Sequence, residues 1–335
     1  MTTEKIEKSL ARAAEFILRH DDYLLVTHER PDGDAIGSIF GFLNFLHENG
    51  KRAEAVIPEP LPEKYLPFVN SNYRTGITRL EFASYQSCLV LDSPNPARAA
   101  IGGGLKFEQV GIPLILLDHH PDNQCYGSIN VVAPKVSATA ELLFMLSKLL
   151  PGWKVSPRTA TLWLMGIIMD TGGFRFDNTS PQTLRYAAEL LELKADHHRL
   201  MLEMFFSKPL ELQQFESELF TSHLHMDCGR RFAWIYVPDE LIRKYNIDMR
   251  NTEGLIEILR SIKSADVVAL LQRCDDGYKV SLRSKDPRFS VGQIARQLNG
   301  GGHELAAGGK IKNVNFDAAI NILTGMVRQT LNQGS

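Results

Sequence analysis

The sequence has few cysteines and no pair of them at metal-binding spacing. The four cysteines are scattered, and none belongs to a Cys-x-x-Cys motif: Cys88, Cys125, Cys228 and Cys274. A zinc knuckle and a disulfide-stapled scaffold are therefore not expected, and a reducing cytoplasm is the expected compartment.

Long apolar runs are also absent. No uninterrupted run approaches the ~20 residues that cross a bilayer, so no membrane partner is expected. The N-terminal segment has an amphipathic helical pattern, with Ile6, Leu10, Ala14 and Ile17 on one face. It lacks the long apolar region of a signal peptide, which is therefore not expected.

The chain carries no strong net charge. Its 37 basic and 39 acidic residues give a net charge of −2, which excludes a protein that coats long nucleic acid by bulk charge. The charge is uneven, since 16 basic and 12 acidic residues lie from Met226 onward, against 21 and 27 before it. Two interpretations stay open: metal ions in the first part and an anionic substrate held by the second, or ordinary surface variation.

The residues that are present indicate a soluble α/β protein with two domains. Hydrophobic residues make up 44% of the 335 residues and charged residues 23%, and a chain of this length exceeds one usual core. Short apolar runs alternate with helical patterns in the first part: YLLVT (23–27), CLVLD (88–92) and PLILLD (113–118). They predict a parallel-sheet domain over residues 1–195, covered by helices on both faces.

The remaining residues predict a connector and a smaller domain. A helical pattern runs through residues 181–224, which predicts the last helices of the first domain and a helical connector over 196–225. The run VVALLQRCDDGYKVSLRS (267–284) reads as two alternating strands joined across Asp276-Gly277. Helical patterns flank this hairpin, so a smaller mixed α/β domain is predicted for residues 226–335.

Polar side chains follow the apolar runs of the first domain. Ligands of parallel α/β sheets bind beyond the carboxyl ends of the strands, so these side chains are expected to meet. Four segments deliver them: His28, Asp32 and Asp34 after the first run, Asp92 after the second, Asp118, His119 and His120 after the third, and Asp170 at the end of a helical run.

The mixture of side chains predicts a metal site. One Asp at a strand end more often caps the next helix than binds a metal, but four convergent segments are hard to explain as caps. Carboxylate and imidazole without thiolate favour Mn²⁺, or Mg²⁺ or another divalent ion, over structural zinc. Five or six such ligands suit two ions about 3.5–4 Å apart that share a carboxylate, as in two-metal phosphoryl chemistry.

These motifs resemble those of the DHH phosphoesterases. The segments HERPDGDAIGS, LD (91–92), LLDHHPDN, GIIMDTGGFRFDNTS and NGGGHELAAGG (299–309) occur in the order of that family's motifs. More narrowly, they resemble the stand-alone nanoRNase/pAp-phosphatase branch, which carries a DHH-associated C-terminal domain. One departure is LDSPNPAR in place of the more usual Asp-Thr-Ser-Asp pattern, although Asp92 is retained.

The resemblance implies a role for each residue of the first domain. A water or hydroxide between two ions would be the nucleophile, His120 would face the substrate phosphate, and Asp118 would orient neighbouring groups. The implied metal ligands are His28 and Asp32 for one ion, Asp34, His119 and Asp170 for the other, and Asp92 as the bridge.

The glycine-rich segment near the C-terminus is a candidate substrate site. Three glycines before a helix-forming stretch would let Gly301 and Gly302 bring backbone N–H groups to an anion at a helix start, with His303 as a further donor. Such a segment alone is more often just a turn. Arg283, on the second hairpin strand, would hold a second phosphate or a base unless it is merely solvated, and Arg98 is a weaker candidate.

The resemblance implies a Mn²⁺-dependent phosphoesterase that cleaves very short RNA to mononucleotides and removes the 3′-phosphate of pAp (adenosine 3′,5′-bisphosphate). Long duplexes are not expected substrates, because a long basic, aromatic-rich groove is missing. A phosphodiesterase for cyclic dinucleotides or linear pNpN is the alternative, and a non-catalytic nucleotide-binding module is opposed by the complete ligand set. An inorganic pyrophosphatase would resemble only the first half of the chain. A homodimer is compatible with the sequence.

Asp-His-His occurs a second time, at residues 196–198. There the flanking apolar residues recur at helical spacing. Asp196 is expected to cap a helix and to leave His197 and His198 exposed in its first turn, so only the first copy is expected at the metal site.

Overall fold

The chain folds into two compact units, each with its own hydrophobic cores. A computed structural model describes residues 3–58, 60–69, 73–99, 111–252 and 254–334. The first unit comprises Met1–Ser207 and the second Lys208–Ser335.

A parallel sheet forms the centre of the first unit, as predicted. Its strand order is β2-β1-β3-β4-β5, and every neighbouring pair is parallel. Strands β1, β3 and β4 occupy the three predicted apolar runs. The elements up to the sheet's last helix are α1 (Thr3–Arg19), β1 (Tyr23–Val26), α2 (Gly33–Glu48), β2 (Ala53–Val56), α3 (Arg79–Phe82), β3 (Ser87–Leu91), β4 (Leu114–Asp118), β5 (Ile129–Val132), α4 (Thr139–Ser147) and α5 (Pro157–Asp170).

Strands β1, β3 and β4 are almost entirely apolar because they are buried on both faces of the sheet. Alternate residues of a strand point to opposite faces. Leu25, Leu89 and Leu117 belong to the larger core, which also contains the apolar faces of α1, α2, α4 and α5. Leu24 and Val90 belong to a second, smaller core on the opposite face. This double burial fixes the direction in which every strand end leaves the sheet.

Helices α2 and α5 approach each other closely, because glycines line their contact. A Cβ atom on Gly37 would lie 2.4 Å from the carbonyl oxygen of Leu162. On the α5 side, a Cβ atom on Gly166 would lie 2.5 Å from Cβ of Ala140 and 2.6 Å from Oδ1 of Asp34. Neither position has room for a side chain.

The prediction that residues 181–224 are helical throughout is wrong. The segment contains α6 (Pro181–Glu192), α7 (His197–Met201), a π-helical turn (Leu202–Phe206) and α8 (Leu210–His223). Lys194 adopts φ +67° after α6, and Pro209 is the N-cap of α8. A left-handed residue ends an α-helix, and a proline lacks the N–H that would continue one. The apolar spacing continues across both breaks and therefore hides them.

The second unit has a mixed sheet, as predicted. Its strand order is β10-β11-β9-β8-β7-β6, in which β7 and β8 are parallel and the other pairs antiparallel. Its elements after α8 are β6 (Leu224–Asp227), β7 (Phe232–Val237), α9 (Asp239–Tyr245), α10 (Leu255–Arg260), β8 (Val267–Cys274), β9 (Gly277–Ser284), α11 (Val291–Gln297), β10 (Gly301–Gly302), β11 (Ala306–Lys312) and α12 (Phe316–Gln333).

The predicted hairpin is present, with its turn one residue earlier than expected. Gly277 already pairs with Cys274, so Asp275 and Asp276 form the turn. Gly277 adopts φ +148°, and a Cβ atom there would lie 2.1 Å from the carbonyl oxygen of Ile311. The glycine is therefore the first residue of the second strand, where only hydrogen fits.

The helix predicted after the glycine-rich segment is wrong. The residues that follow Gly301 and Gly302 turn back as strand β11, and the two glycines pair with Gly308 and Ala307. A Cβ atom on Gly300 would lie 1.9 Å from the carbonyl oxygen of Gly308. The glycines thus allow two backbones to approach each other, and no helix start lies there.

Within the described part of the chain, no helix is long and apolar enough to cross a membrane.

Candidate metal centre

The site lies where the strand order of the first sheet reverses. The chain runs from β1 outward to β2, then returns to β3 on the other side of β1, which leaves a crevice beyond the carboxyl ends of β1 and β3. His28 follows β1 and Asp92 follows β3, and Nε2 of His28 lies 3.6 Å from Oδ2 of Asp92. Asp92 adopts φ +55°, a conformation that is costly for a non-glycine residue and is concentrated at functional sites.

Asp92 is shared by three groups of possible ligands. In each group the ligand atoms lie within 4.8 Å of one another: His28, Asp32 and Asp92; Asp34, Asp92 and His119; and Asp92, Asp118 and His120. Asp170 joins them at the end of α5, with Oδ2 3.3 Å from Nε2 of His119. The structure thus brings together every residue of the first unit that the strand-end pattern selected.

His28 is held with one ring nitrogen turned toward the site. Its Nδ1 donates a hydrogen bond to the carbonyl oxygen of Glu29, at 2.8 Å. A carbonyl can only accept, so the proton is on Nδ1 and Nε2 is the atom directed at Asp92. His28 is buried, as is His119.

Asp32 and Asp34 both cap helices, which is the structural role that strand-end aspartates usually have. Oδ1 of Asp32 accepts the backbone N–H groups of Asp34 and Ala35, each at 3.1 Å, at the start of α2. Asp34 caps a different helix, since it accepts the N–H of Thr139 at 2.6 Å and that of Ala140 at 3.0 Å, at the start of α4. Their capping roles therefore do not exclude these two residues as possible metal ligands.

The buried carboxylates of Asp34 and Asp92 and the half-buried carboxylate of Asp170 lie close together, which is unfavourable without a cation. Burial, with the charges of Asp92 and Asp170 adding to it, raises the pKa of Asp34 well above its usual range. Burial also raises the pKa of Asp170 to about 7, with Asp32 and Asp92 adding to the shift and His119 opposing it. Within the described ranges, every ion pair to Asp34, Asp92 or Asp170 comes from a histidine.

The neighbouring histidines favour the ionised form of Asp92. Burial alone would raise the pKa of Asp92, but the neighbouring His28 ring and the charges of His120 and His119 outweigh it and hold the pKa well below its usual range. Burial opposes protonation of His120, but the hydrogen bond to Asp118 and the charge of Asp92 raise the pKa of His120 to about 10. His120 is therefore a cation at neutral pH.

This set of donors fits divalent cations. Imidazole and carboxylate ligands converge, and the cluster contains no thiolate. Burial and the neighbouring negative charges raise the pKa values of Asp34 and Asp170, so a bound cation would stabilise their ionised forms. The clusters could therefore bind metal ions.

Three residues of the site were missed from the sequence. Thr139 donates its hydroxyl to Oδ1 of Asp92 at 2.9 Å, and Asn123 donates Nδ2 to Oδ2 of Asp118 at 2.5 Å. Gly166 makes room for the carboxylate of Asp34. Only Gly166 left a signal, because an isolated glycine inside an apolar helical run usually has a packing reason.

The second Asp-His-His copy starts a helix, as predicted. Asp196 is the N-cap of α7, and its Oδ1 accepts the N–H of Arg199 at 3.1 Å. His197 and His198 are exposed in the first turn of the helix, while Leu200 is buried.

Of the predicted substrate residues, Arg98 belongs to the first unit, and Arg283, Gly301, Gly302 and His303 belong to the second. Arg98 is exposed in the loop after Asp92, and its carbonyl accepts the N–H of Glu29 at 2.8 Å. In the second unit, Nε of Arg283 donates to Oε1 of Glu257 at 2.7 Å, and the N–H of His303 donates to the carbonyl of Ala306 at 2.8 Å. Their substrate contacts stay predictions, as do those of Gly301 and Gly302.

Comparison with known proteins identifies the family. The family model "DHH family, N-terminal domain" matches residues 22–167, and the DHHA1 domain model matches residues 232–329. The chain is 32% identical over 311 residues to the "Bifunctional oligoribonuclease and PAP phosphatase NrnA" of Thermus thermophilus, covering 92% of this chain and 89% of the relative. The chain belongs to the DHH family.

Further relatives agree with this assignment. The protein of the same description from Bacillus subtilis is 28% identical, with 92% of this chain and 94% of the relative covered. The crystal structure of an exopolyphosphatase-related protein from Bacteroides fragilis has the same fold, with a TM-score of 0.86 and 22% identity over 98% of each chain. Membership of the DHH family makes the protein a hydrolase, and the resemblance seen in the motifs is confirmed.

Proposed function

We propose that this DHH protein hydrolyses very short oligoribonucleotides to mononucleotides and converts pAp to AMP, with two divalent cations as cofactors. The observation that carries the proposal is the position of Asp92, which belongs to each of the three groups formed by residues of the first unit alone. The relatives from T. thermophilus and B. subtilis, which are named for oligoribonuclease and PAP phosphatase activity, support the substrate class.

The proposed metal ligands divide around Asp92. When bound, the cations would lower the pKa of a water molecule and neutralise phosphate charge. The chemistry of the ligands suits Mn²⁺, with Mg²⁺ as the nearest substitute. His28 and Asp32 would serve one ion, Asp34, His119 and Asp170 the other, and Asp92 both.

His120 would bind the substrate phosphate. Burial opposes protonation of the ring, but in the metal-free site the hydrogen bond to Asp118 and the charge of Asp92 raise its pKa to about 10. Because Asp118 accepts the Nδ1 proton, a phosphate oxygen would be met by the Nε2 side of the ring. Asp118 would thus orient and charge the group that binds phosphate.

The other proposed contacts would supply charge and backbone donors. Arg98 and Arg283 would bind a second phosphate or a base, and Arg283 would share its guanidinium with Glu257. The segment of Gly301, Gly302 and His303 would contact the substrate through a glycine-lined backbone.

The test is product analysis with purified protein and Mn²⁺. The substrates are labelled RNAs of two to five nucleotides, pAp, cyclic dinucleotides and a long duplex. AMP is expected from the dinucleotide pApA and from pAp, and the duplex should remain intact. A folded protein that releases no AMP from either, or that cleaves only cyclic dinucleotides, contradicts the proposal.

Matched variants separate the site from its surroundings. Asp92→Ala should abolish hydrolysis. Asp122→Ala removes an exposed carboxylate of the same strand-end loop and should leave hydrolysis unchanged.

A further inference from the structure

Thr139, the first residue of α4, contacts two of the proposed metal ligands at once. Its backbone N–H donates to Oδ2 of Asp34 at 2.6 Å, and its hydroxyl donates to Oδ1 of Asp92 at 2.9 Å. The side chain is fully buried. One residue therefore connects a carboxylate from α2 with a carboxylate from the end of β3.

The hydroxyl of Thr139 lies at the start of a helix but does not cap it. The N-cap position of α4 is Ala138, which makes no side-chain cap. The carboxylate of Asp34 caps the helix instead, and the threonine hydroxyl is directed at Asp92. The hydroxyl is not needed to cap α4, because the carboxylate of Asp34 already caps it.

A shared carboxylate must keep its two oxygens aimed in different directions. Oδ2 of Asp92 lies 3.6 Å from Nε2 of His28, and Oδ1 lies 3.6 Å from Nε2 of His119. The carboxylate can rotate about its Cβ–Cγ bond, which is a soft torsion. The hydroxyl of Thr139 binds Oδ1 and thereby fixes this rotation.

The segment that carries Thr139 is itself anchored. The hydroxyl of Ser137 donates to the buried carboxylate of Glu141, which also accepts the hydroxyl of Thr183 at 2.9 Å. Asn178 donates Nδ2 to the carbonyl oxygens of Ser137, at 3.0 Å, and of Asp170, at 3.1 Å. The start of α4 is thus tied to the end of α5, and Thr139 is held by groups outside the ligand cluster.

We infer that Thr139 is a positioning residue that sets the affinity of the site for its shared pair of divalent cations, by orienting the carboxylate of Asp92. The inference rests on the proposed two-metal site. Groups that orient metal ligands account for about 10–100-fold in affinity.

The test compares Thr139→Val, which removes the hydroxyl and keeps the shape, with Thr139→Ser, which keeps the hydroxyl. Mn²⁺ binding is measured without substrate, by calorimetry and by electron paramagnetic resonance. The Val variant should bind Mn²⁺ about 10–100-fold more weakly and lose the exchange-coupled signal of a Mn²⁺ pair, and the Ser variant should stay within about 3-fold of wild type.

Thr159→Val is the matched control. Thr159 is also fully buried near a helix start, and its hydroxyl donates to Oε2 of Glu48 at 3.0 Å, away from the ligand cluster. This variant loses a comparable hydrogen bond and should bind Mn²⁺ as wild type does. Thr139→Ala replaces the Val variant if circular dichroism shows that Val does not fold.

Two results would overturn the inference and leave the proposed function standing. One is wild-type Mn²⁺ affinity in a folded Val or Ala variant, and the other is a Ser variant as weak as the Val variant. A wild-type protein that binds no Mn²⁺ overturns it together with the proposed function. A protein that binds Mn²⁺ but cleaves neither RNA nor pAp ends only the proposed function, since the binding comparison still decides the role of Thr139.

Discussion

Asp118 holds His120 through one oxygen atom. Oδ1 of Asp118 accepts the backbone N–H of His120 at 2.8 Å and the ring Nδ1–H at 2.7 Å. Oδ2 accepts Nδ2 of Asn123, and the carboxylate is fully buried. Asp118 therefore orients the His120 ring and, together with the charge of Asp92, favours its protonation.

Asp118→Asn should make hydrolysis sensitive to alkaline pH. The amide still accepts a hydrogen bond, but it removes the negative charge, so the pKa of His120 should fall from about 10 toward the ordinary value of 6.5. The imidazolium would then be lost above about pH 7, and the rate should fall there while wild type holds its rate. A pH–rate profile from about pH 6 to 8.5 checks this, with Asp122→Asn as control. Coincident profiles for wild type and Asp118→Asn would falsify the role of Asp118.

The metal-free protein should be more stable at about pH 5 than at about pH 7.5. Asp170 has a folded-state pKa raised from 3.8 to about 7, so the folded state holds a proton that the unfolded chain has already lost, and stability falls as pH rises through this range. The raised pKa of His120 acts in the same direction above 6.5, while the lowered pKa of Asp92 matters only as pH falls below 3.8.

Chemical denaturation with and without Mn²⁺ measures this dependence. Bound cations replace the protons, so Mn²⁺ should stabilise the protein most at the higher pH. Asp170→Asn should reduce the dependence of the metal-free protein's unfolding free energy on pH. A metal-free stability that increases from the lower to the higher pH contradicts the assignment of the raised pKa values.

The two Asp-His-His copies offer a paired experiment. His119→Ala should weaken Mn²⁺ binding more than about 100-fold and abolish hydrolysis, because orienting groups alone account for about 10–100-fold. His197→Ala removes an exposed histidine of α7 and should leave binding and hydrolysis unchanged. Calorimetry and pApA cleavage check both variants. Equal losses in the two would mean that the second copy is not merely structural.

Gly166→Ala should lower both stability and metal affinity. Its Cβ atom would lie 2.6 Å from Oδ1 of Asp34 and 2.5 Å from Cβ of Ala140, so Asp34 would have to move. Gly325→Ala is the control in α12, where a Cβ atom would meet nothing within 4 Å, and there alanine should stabilise by about 0.5–1 kcal/mol. Thermal unfolding with and without Mn²⁺ checks the pair. Stabilisation by both substitutions would contradict the close packing of α2 on α5.

The sequence predicted what depends on local pattern. The apolar runs at 23–27, 88–92 and 113–118 predicted three strands, and the strand-end rule then selected Asp92, His119 and their neighbours. Asp196 was recognised as a cap because the apolar residues around it recur at helical spacing. These features each depend on a few consecutive residues.

Features that depend on distant residues were not predicted. Thr139 reaches Asp92 only because α4 starts beside the end of β3, and nothing near Thr139 in sequence indicates that contact. The segment after Gly302 has helix-forming residues, yet it forms a strand because its backbone pairs with β9. Tertiary pairing overrides local propensity in that segment.

The capping of α4 by Asp34 has a consequence for how relatives of this chain should be interpreted. A relative that does not bind metal ions would tolerate substitution of His119 and Asp170. Loss of Asp34, by contrast, would leave two backbone N–H groups at the start of a buried helix without their acceptor. This aspartate would then be retained only because it caps α4. An aspartate at that position is therefore weak evidence of catalysis, and the histidine after β4 is the better diagnostic of a working enzyme.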